Sequence, residues 1–370
     1  MKTSVQRRLS IGSAITVCLV AIAGGTFYFT GGYAKWRDGR SLNEACGGVV
    51  PKDEARTGFG SDHVRAESDT TRYFPGGEDG RITNCYVEDP DNGKTITVDM
   101  HWSSQAERVA SAIKHDSLTA VGGGAVPMGR GWPGTVVSDE GLYGGMELGC
   151  RNKKGESLLV STYAFDNLLD PANPGEGRAA FARVTSGIAK SADEKFNCDA
   201  PSGNVIKKIA PNPPQNPTPV AQAEGTCSAV AKLNLKGHKL ESVAEAPVDP
   251  TSPAEDCYLN NAKGEPAYRL TALYGSFAKN VRDKSSSFEL HDSLGAGEDS
   301  GADAKTHRAY GNARCPEGLG TGLYTLSGLS WRTQGEPSLK KPDPAFERAT
   351  LKAFAQQSAK RHGCSGLQTP

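Results

Sequence analysis

A chain of 370 residues has room for about two ordinary domains, and its 37% hydrophobic content, 44 glycines and 22 prolines favour small, loop-rich domains over one large core. The 42 basic and 42 acidic residues cancel and form no basic stripe, which argues against nucleic acid as a partner.

Met1–Ser10 carries Lys2, Arg7 and Arg8, and no further charge appears before Lys35. The run "LSIGSAITVCLVAIAGGTFYFTGGYA" (Leu9–Ala34) exceeds the roughly 20 residues needed to cross a bilayer core. Phe27, Tyr28, Phe29, Tyr33 and Trp36 stand at its far end, where amphipathic rings favour a membrane–water boundary. Residues 1–10 are therefore expected as a cytoplasmic stub and 11–34 as a single transmembrane anchor, with everything after it extracytoplasmic. The rival is a signal peptide cleaved near Ala23, giving a secreted protein. The anchor is favoured because the apolar run continues well past Ala23.

Of the nine cysteines, Cys18 falls in the apolar run and reads as a lipid-compatible residue. The other eight fall into two sets, Cys46, Cys85, Cys150, Cys198 and Cys227, Cys257, Cys315, Cys364. Within each set the first interval is the shortest and the second the longest. An even number in an exported segment predicts structural disulfides, and no C-x-x-C pair supports zinc. The contexts also match. "NCYVEDPDNGKTITVDMHW" (Asn84–Trp102) parallels "DCYLNNAKGEPAYRLTALY" (Asp256–Tyr274), and each set ends on a helix-like segment that runs into its last cysteine. "HDSL" occurs at His115–Leu118 and again at His291–Leu294, each between the second and third cysteine. Such collinearity predicts a duplication into two similar lobes, 42–200 and 226–366. The proline-rich stretch within 201–225 (Pro211, Pro213, Pro214, Pro217, Pro219) is expected to be an extended spacer between them.

Asp89-Pro90-Asp91-Asn92-Gly93 predicts a hairpin turn, and Ile96, Val98, Met100 and Trp102 alternate as one buried strand face. Tyr268, Leu270, Ala272 and Tyr274 do the same in the second lobe, and further strands are expected at Ser157–Ala164 and Thr321–Leu329. Phe181, Val184, Ile188, Ala192 and Phe196 form a helical stripe, and a second helix is expected from about Asp343 to Arg361, burying Phe346, Ala349, Ala353 and Phe354. Each lobe is thus α+β, an antiparallel sheet with a C-terminal helix on one face. Four cysteines per lobe leave more than one connectivity. The expected pairing joins first to fourth, fastening the terminal helix, and second to third, on neighbouring strands. That gives Cys46–Cys198, Cys85–Cys150, Cys227–Cys364 and Cys257–Cys315.

The catalytic motifs fail on chemistry. Adjacent His, Asp and Ser in an extended segment point to opposite faces, so HDSL cannot form a relay. "SAIK" (Ser111–Lys114) lacks the K-T-G and S-D-N partners of penicillin-interacting enzymes. "DPDNG" lacks a carboxylate at the twelfth position of a calcium loop, where Met100 stands. "GAGEDSGAD" (Gly295–Asp303) reads as a solvated loop, and Trp102 and Trp132 as packing residues. No catalytic, cofactor or metal residue is assigned.

"ACGGVVP" (Ala45–Pro51) after the anchor, the strand-opening "NCY" and "DCY", and a helix ending in cysteine resemble, in layout, the membrane-anchored, cysteine-bridged extracytoplasmic proteins of high-GC Gram-positive bacteria. The resemblance implies small α+β lobes held outside the membrane and carries no catalytic residue over. The function expected is non-enzymatic: binding of an envelope protein or small ligand, with the membrane as partner through residues 11–34. The alternatives are an exported enzyme acting on envelope material, with its site between the lobes, and a purely structural tether.

Overall fold

The structure, a computed structural model, describes residues 22, 25, 26, 28, 29, 32–68, 81–103, 123–138, 141–165, 173–283, 300–305, 307–316, 319–329 and 343–370. Both HDSL copies, Ser111–Lys114 and most of the expected 11–34 anchor lie outside these residues. Among the described residues no helix is long and apolar enough to cross a membrane. Helix α1 (Gly32–Glu44) overlaps the last three residues of the expected span and buries Leu42 and Asp38, while Tyr33 and Trp36 stay exposed.

Helix α2 (Lys52–Phe59) then leads into the first sheet: β1 (Arg65–Ser68), β2 (Arg81–Asp89), β3 (Lys94–Trp102), β4 (Ala125–Pro127), β5 (Gly134–Ser138), β6 (Gly141–Gly149) and β7 (Ser157–Phe165). All pairings are antiparallel, in the order β1-β2-β3-β7-β6-β5-β4. The β2–β3 turn forms as the sequence predicts. Gly93 takes φ +64, and the Asp89 carboxylate accepts from the Asp91 amide at 3.0 Å and the Asn92 side chain at 2.7 Å. Those bonds hold the Asp89 carboxylate within the turn. Ile96, Val98 and Met100 are fully buried beneath helix α3 (Pro174–Phe196), together with Phe181, Val184 and Ile188. Each such side chain contributes about 1.5–3 kcal/mol by leaving water. Asn173 caps α3, and Pro174 occupies the first turn, where its missing N–H costs nothing.

The second lobe repeats the plan: β8 (Thr218–Pro219), β9 (Leu240–Glu245), β10 (Ala254–Asn261), β11 (Pro266–Leu273), helix α4 (Gly275–Asp283), β12 (Ser300–Asp303), β13 (Arg308–Arg314), β14 (Thr321–Gly328), helix α5 (Pro344–Arg361) and β15 (Ser365–Gln368). Its order is β12-β13-β14-β11-β10-β9-β8, with β15 also paired to β13. Strand for strand, β1-β2-β3-β7-β6-β5 corresponds to β9-β10-β11-β14-β13-β12, and α5 lies where α3 does. Even the ring pair near the last cysteine recurs, Trp102 against Phe196 in one lobe and Tyr274 stacked on His362 in the other. Two sequence expectations change here. Ser300–Asp303, read as loop, is the edge strand β12. On α5, Ala349 is exposed, because the buried face is completed by the polar Glu347, Thr350 and Ser358.

All eight cysteines outside the apolar run are bridged, but the expected pairing is corrected. The bonds are Cys46–Cys85, Cys150–Cys198, Cys227–Cys257 and Cys315–Cys364, first to second and third to fourth in each lobe. Strand order is the reason. Cys85 is on β2 and Cys150 follows β6, so two other strands, β3 and β7, separate them. That is about 14 Å at the inter-strand spacing, far beyond the ~7 Å Cα limit of a disulfide. Cys257 on β10 and Cys315 after β13 are held apart in the same way by β11 and β14.

Residues 201–225 do not form a free spacer. Ile206 and Ile209 are buried in the core of the first lobe, and Thr218–Pro219 pair with β9. Asn212 donates its side-chain N–H to the Ser138 carbonyl at 2.9 Å and accepts from the Gly124 amide at 3.0 Å. Proline lowers the entropy lost when such a segment is tied down.

The lobes meet through the sheet faces opposite their helices. On β6, Leu142, Met146 and Leu148 enter the core beneath α3, so Tyr143 and Glu147 face the other lobe. Tyr143, Val137 and Ala125 pack there with Leu273, Phe277, Ala278, Val281 and Leu323. Beside this cluster the buried Asp256 carboxylate accepts from the Ala125 amide at 2.7 Å, the Thr271 hydroxyl at 2.6 Å and the Arg269 guanidinium at 3.0 Å. The resulting order of layers is helix, sheet, sheet, helix.

Candidate binding cleft between the lobes

At one end of the inter-lobe seam lies a cleft of about 950 Å³. Its walls come from unlike parts of the two copies: the end of β6 and the turn Arg151–Glu156 from the first lobe, and the first turns of α4 from the second.

Glu147 forms the floor. Its neighbour across the seam is the start of α4, where Ser276 donates its backbone N–H to Oε2 at 2.8 Å and its hydroxyl to Oε1 at 2.9 Å. A carboxylate at a helix N-terminus satisfies an orphan amide and meets the positive end of the helix dipole. Gly275 makes the approach possible. It holds φ +57, and a Cβ there would collide with the Glu147 carboxylate. Burial pushes the Glu147 carboxyl up to about 7, and the bonds from Ser276 and Ser157 offset only part of that. The floor is therefore an acid that exchanges its proton near neutrality.

The rim is cationic. Arg151 and Lys154 stand on the β6–β7 turn, and Lys279 and Arg282 on α4, with Glu156 as the one further acid. Lys154 and Lys279 are exposed and form no ion pair among the described residues. The turn that carries Arg151 and Lys154 is fixed at its base. Cys150–Cys198 pins it, Asn152 donates its amide to the Cys198 carbonyl at 3.3 Å, and Lys153 lies 3.8 Å over the Trp102 ring. In the second lobe the corresponding turn, Pro316–Gly320, carries no basic residue. The cleft is thus a feature of the pair, not of either lobe.

A second polar cluster is closed to solvent. Glu255 accepts from Arg361 at 2.6 and 2.5 Å, from Ser358 at 2.8 Å and pairs with His362 Nε2 at 3.0 Å. Tyr274 in turn donates to Ser358 at 2.5 Å. Burial alone would push Glu255 up, yet the hydrogen bond from His362 and the charge of Arg361 hold it below the ordinary carboxylate range. With Glu255, Ser358 and Tyr274 almost wholly buried, this network fastens α5 to its sheet and offers nothing to a ligand. Trp132 is likewise structural, buried and donating its indole N–H to the Asn204 carbonyl at 2.9 Å.

Of the residues singled out from sequence, only Cys150 lines the cleft, as a structural bridge. Glu147, Ser276, Lys154 and Lys279 were not anticipated. The basic run in "CRNKKG" was visible, but Glu147 has its partner 129 residues away and leaves no local signal. Among the described residues no group of His, Cys, Asp and Glu is arranged to hold a metal ion. Comparison with known families, with characterised proteins and with solved structures finds no match.

Proposed function

We propose that this protein is a membrane-tethered, extracytoplasmic binding protein of the cell envelope that holds its ligand between its two lobes. The observation that carries the reading is the cleft itself. Two lobes of like strand order meet face to face, and at their seam their unlike parts converge on the buried Glu147, with four cations and Glu156 around it. An excess of one sign of charge in a cleft raises the local concentration of a complementary ligand. Four disulfides support an oxidising compartment. The tether rests on the apolar run 11–34 and on the exposed, mutually packed Tyr28, Phe29, Tyr33 and Trp36 that follow its middle.

One observation favours the alternative, an exported enzyme acting on envelope material. A carboxyl that ionises near 7 suits general acid–base catalysis. It weighs less, because the partners of Glu147 are the Ser276 and Ser157 groups, none of which would relay a proton as a second acid or base does.

Hydrogen exchange of the full chain in detergent, with and without solubilised cell-envelope material, separates these readings. Binding predicts slowed exchange at residues 147–157 and 275–282 with the added material unchanged. No protection there, or turnover of the material, would overturn it.

A further inference from the structure

We infer that the ligand of the cleft is a multivalent oxyanion, bridged by Lys154 of the first lobe and Lys279 of the second. This rests on the binding reading above and names its chemistry.

Three features carry it. The whole chain is electrically balanced, with 42 basic and 42 acidic residues, whereas the cleft is lined by four basic residues, Arg151, Lys154, Lys279 and Arg282, against the two acids Glu147 and Glu156, with Arg151 also paired to Asp199 at 3.8 Å. Lys154 and Lys279 approach from different lobes, are exposed and have no ion-pair partner among the described residues. Two cations that line one cleft both gain from an anion that reaches them. Lastly, the start of α4, an intrinsic anion site, is occupied by a carboxylate of the protein itself. A small monovalent anion would meet Glu147 at the floor with little to gain. A longer ligand with several negative groups spans the rim, where the two lysines supply compact charges.

Phosphate chains and polycarboxylates share this chemistry, so tripolyphosphate and citrate serve as the two probes. Isothermal titration of the full chain in nonionic detergent, with disulfides intact, measures each at low and physiological salt. At least one probe is expected to bind and to weaken as salt rises, and the stronger of the two identifies phosphate or carboxylate as the source. Lys154→Glu combined with Lys279→Glu is expected to weaken binding at least about tenfold. Lys207→Glu combined with Lys208→Glu makes the same charge change at exposed sites outside the cleft and is expected to leave binding within about twofold. Both substituted pairs are exposed lysines, and an unchanged melting temperature confirms folding. Binding of neither probe, or equal loss in both variants, would overturn the inference. If envelope material still protects 147–157 and 275–282 from exchange, the anion class alone falls. If that protection is missing too, the binding reading falls with it.

Discussion

Glu147 of the first lobe caps helix α4 of the second: its two oxygens accept the amide and the hydroxyl of Ser276, at 2.8 and 2.9 Å. Burial of this carboxyl, which the bonds from Ser276 only partly offset, makes the seam between the lobes sensitive to pH. The Glu147 carboxyl lies at about 7 in the folded chain against an ordinary value of 4.5, so the folded state holds the proton more tightly. Stability from this group is complete below pH 4.5, declines as pH rises to about 7, and is flat beyond. The span corresponds to at most about 3 kcal/mol. Thermal melts of the wild type and Glu147→Gln between pH 4 and 8 should show this decline in the wild type only. Parallel curves would contradict it.

Gly275 faces two constraints at once, a left-handed backbone at φ +57 and the Glu147 carboxylate where a Cβ would go. Gly275→Ala should destabilise the chain by more than the ~1 kcal/mol expected from the backbone alone. In a Glu147→Ala background the collision disappears and only the backbone cost remains. A double-mutant cycle by thermal melts should therefore give a positive coupling, and additive effects would show that the two residues do not touch.

Glu255 has the opposite pH signature. His362 and Arg361 hold it below the ordinary value of 4.5 in the folded state, so its contribution is present above pH 4.5 and is lost as pH falls below it. Glu255→Ala, which leaves Arg361 and His362 without their carboxylate, should cost about 3–5 kcal/mol at pH 7. Urea unfolding monitored at the second lobe measures the loss. Glu255→Gln should in addition flatten the acid limb. An unchanged acid limb would mean that the network does not anchor α5.

What the sequence made legible was local. The Asp89–Gly93 hairpin, the strand of Ile96, Val98 and Met100 and the stripe of Phe181, Val184 and Ile188 form where periodicity places them, because each pattern reports one buried face. What it hid was long-range. The presence of the disulfides was readable, but their pairing follows from β3 and β7 lying between Cys85 and Cys150, which no spacing reveals. On α5 the buried face includes Glu347, Thr350 and Ser358, which an apolar stripe passes over in favour of the exposed Ala349. The cleft was not read from the sequence, because the Glu147–Ser276 contact exists only once two lobes fold and meet.

Two lobes of like strand order, each bridged within itself, are the foundation on which a cleft between them stands. Each bridge closes a loop of 30 to 49 residues and contributes about 4 kcal/mol by restricting the unfolded chain. Non-reducing peptide mapping of the full chain tests this directly. The account predicts four cross-linked peptides, Cys46–Cys85, Cys150–Cys198, Cys227–Cys257 and Cys315–Cys364. A bridge joining the first four cysteines to the last four, or free thiols at these positions, would contradict it.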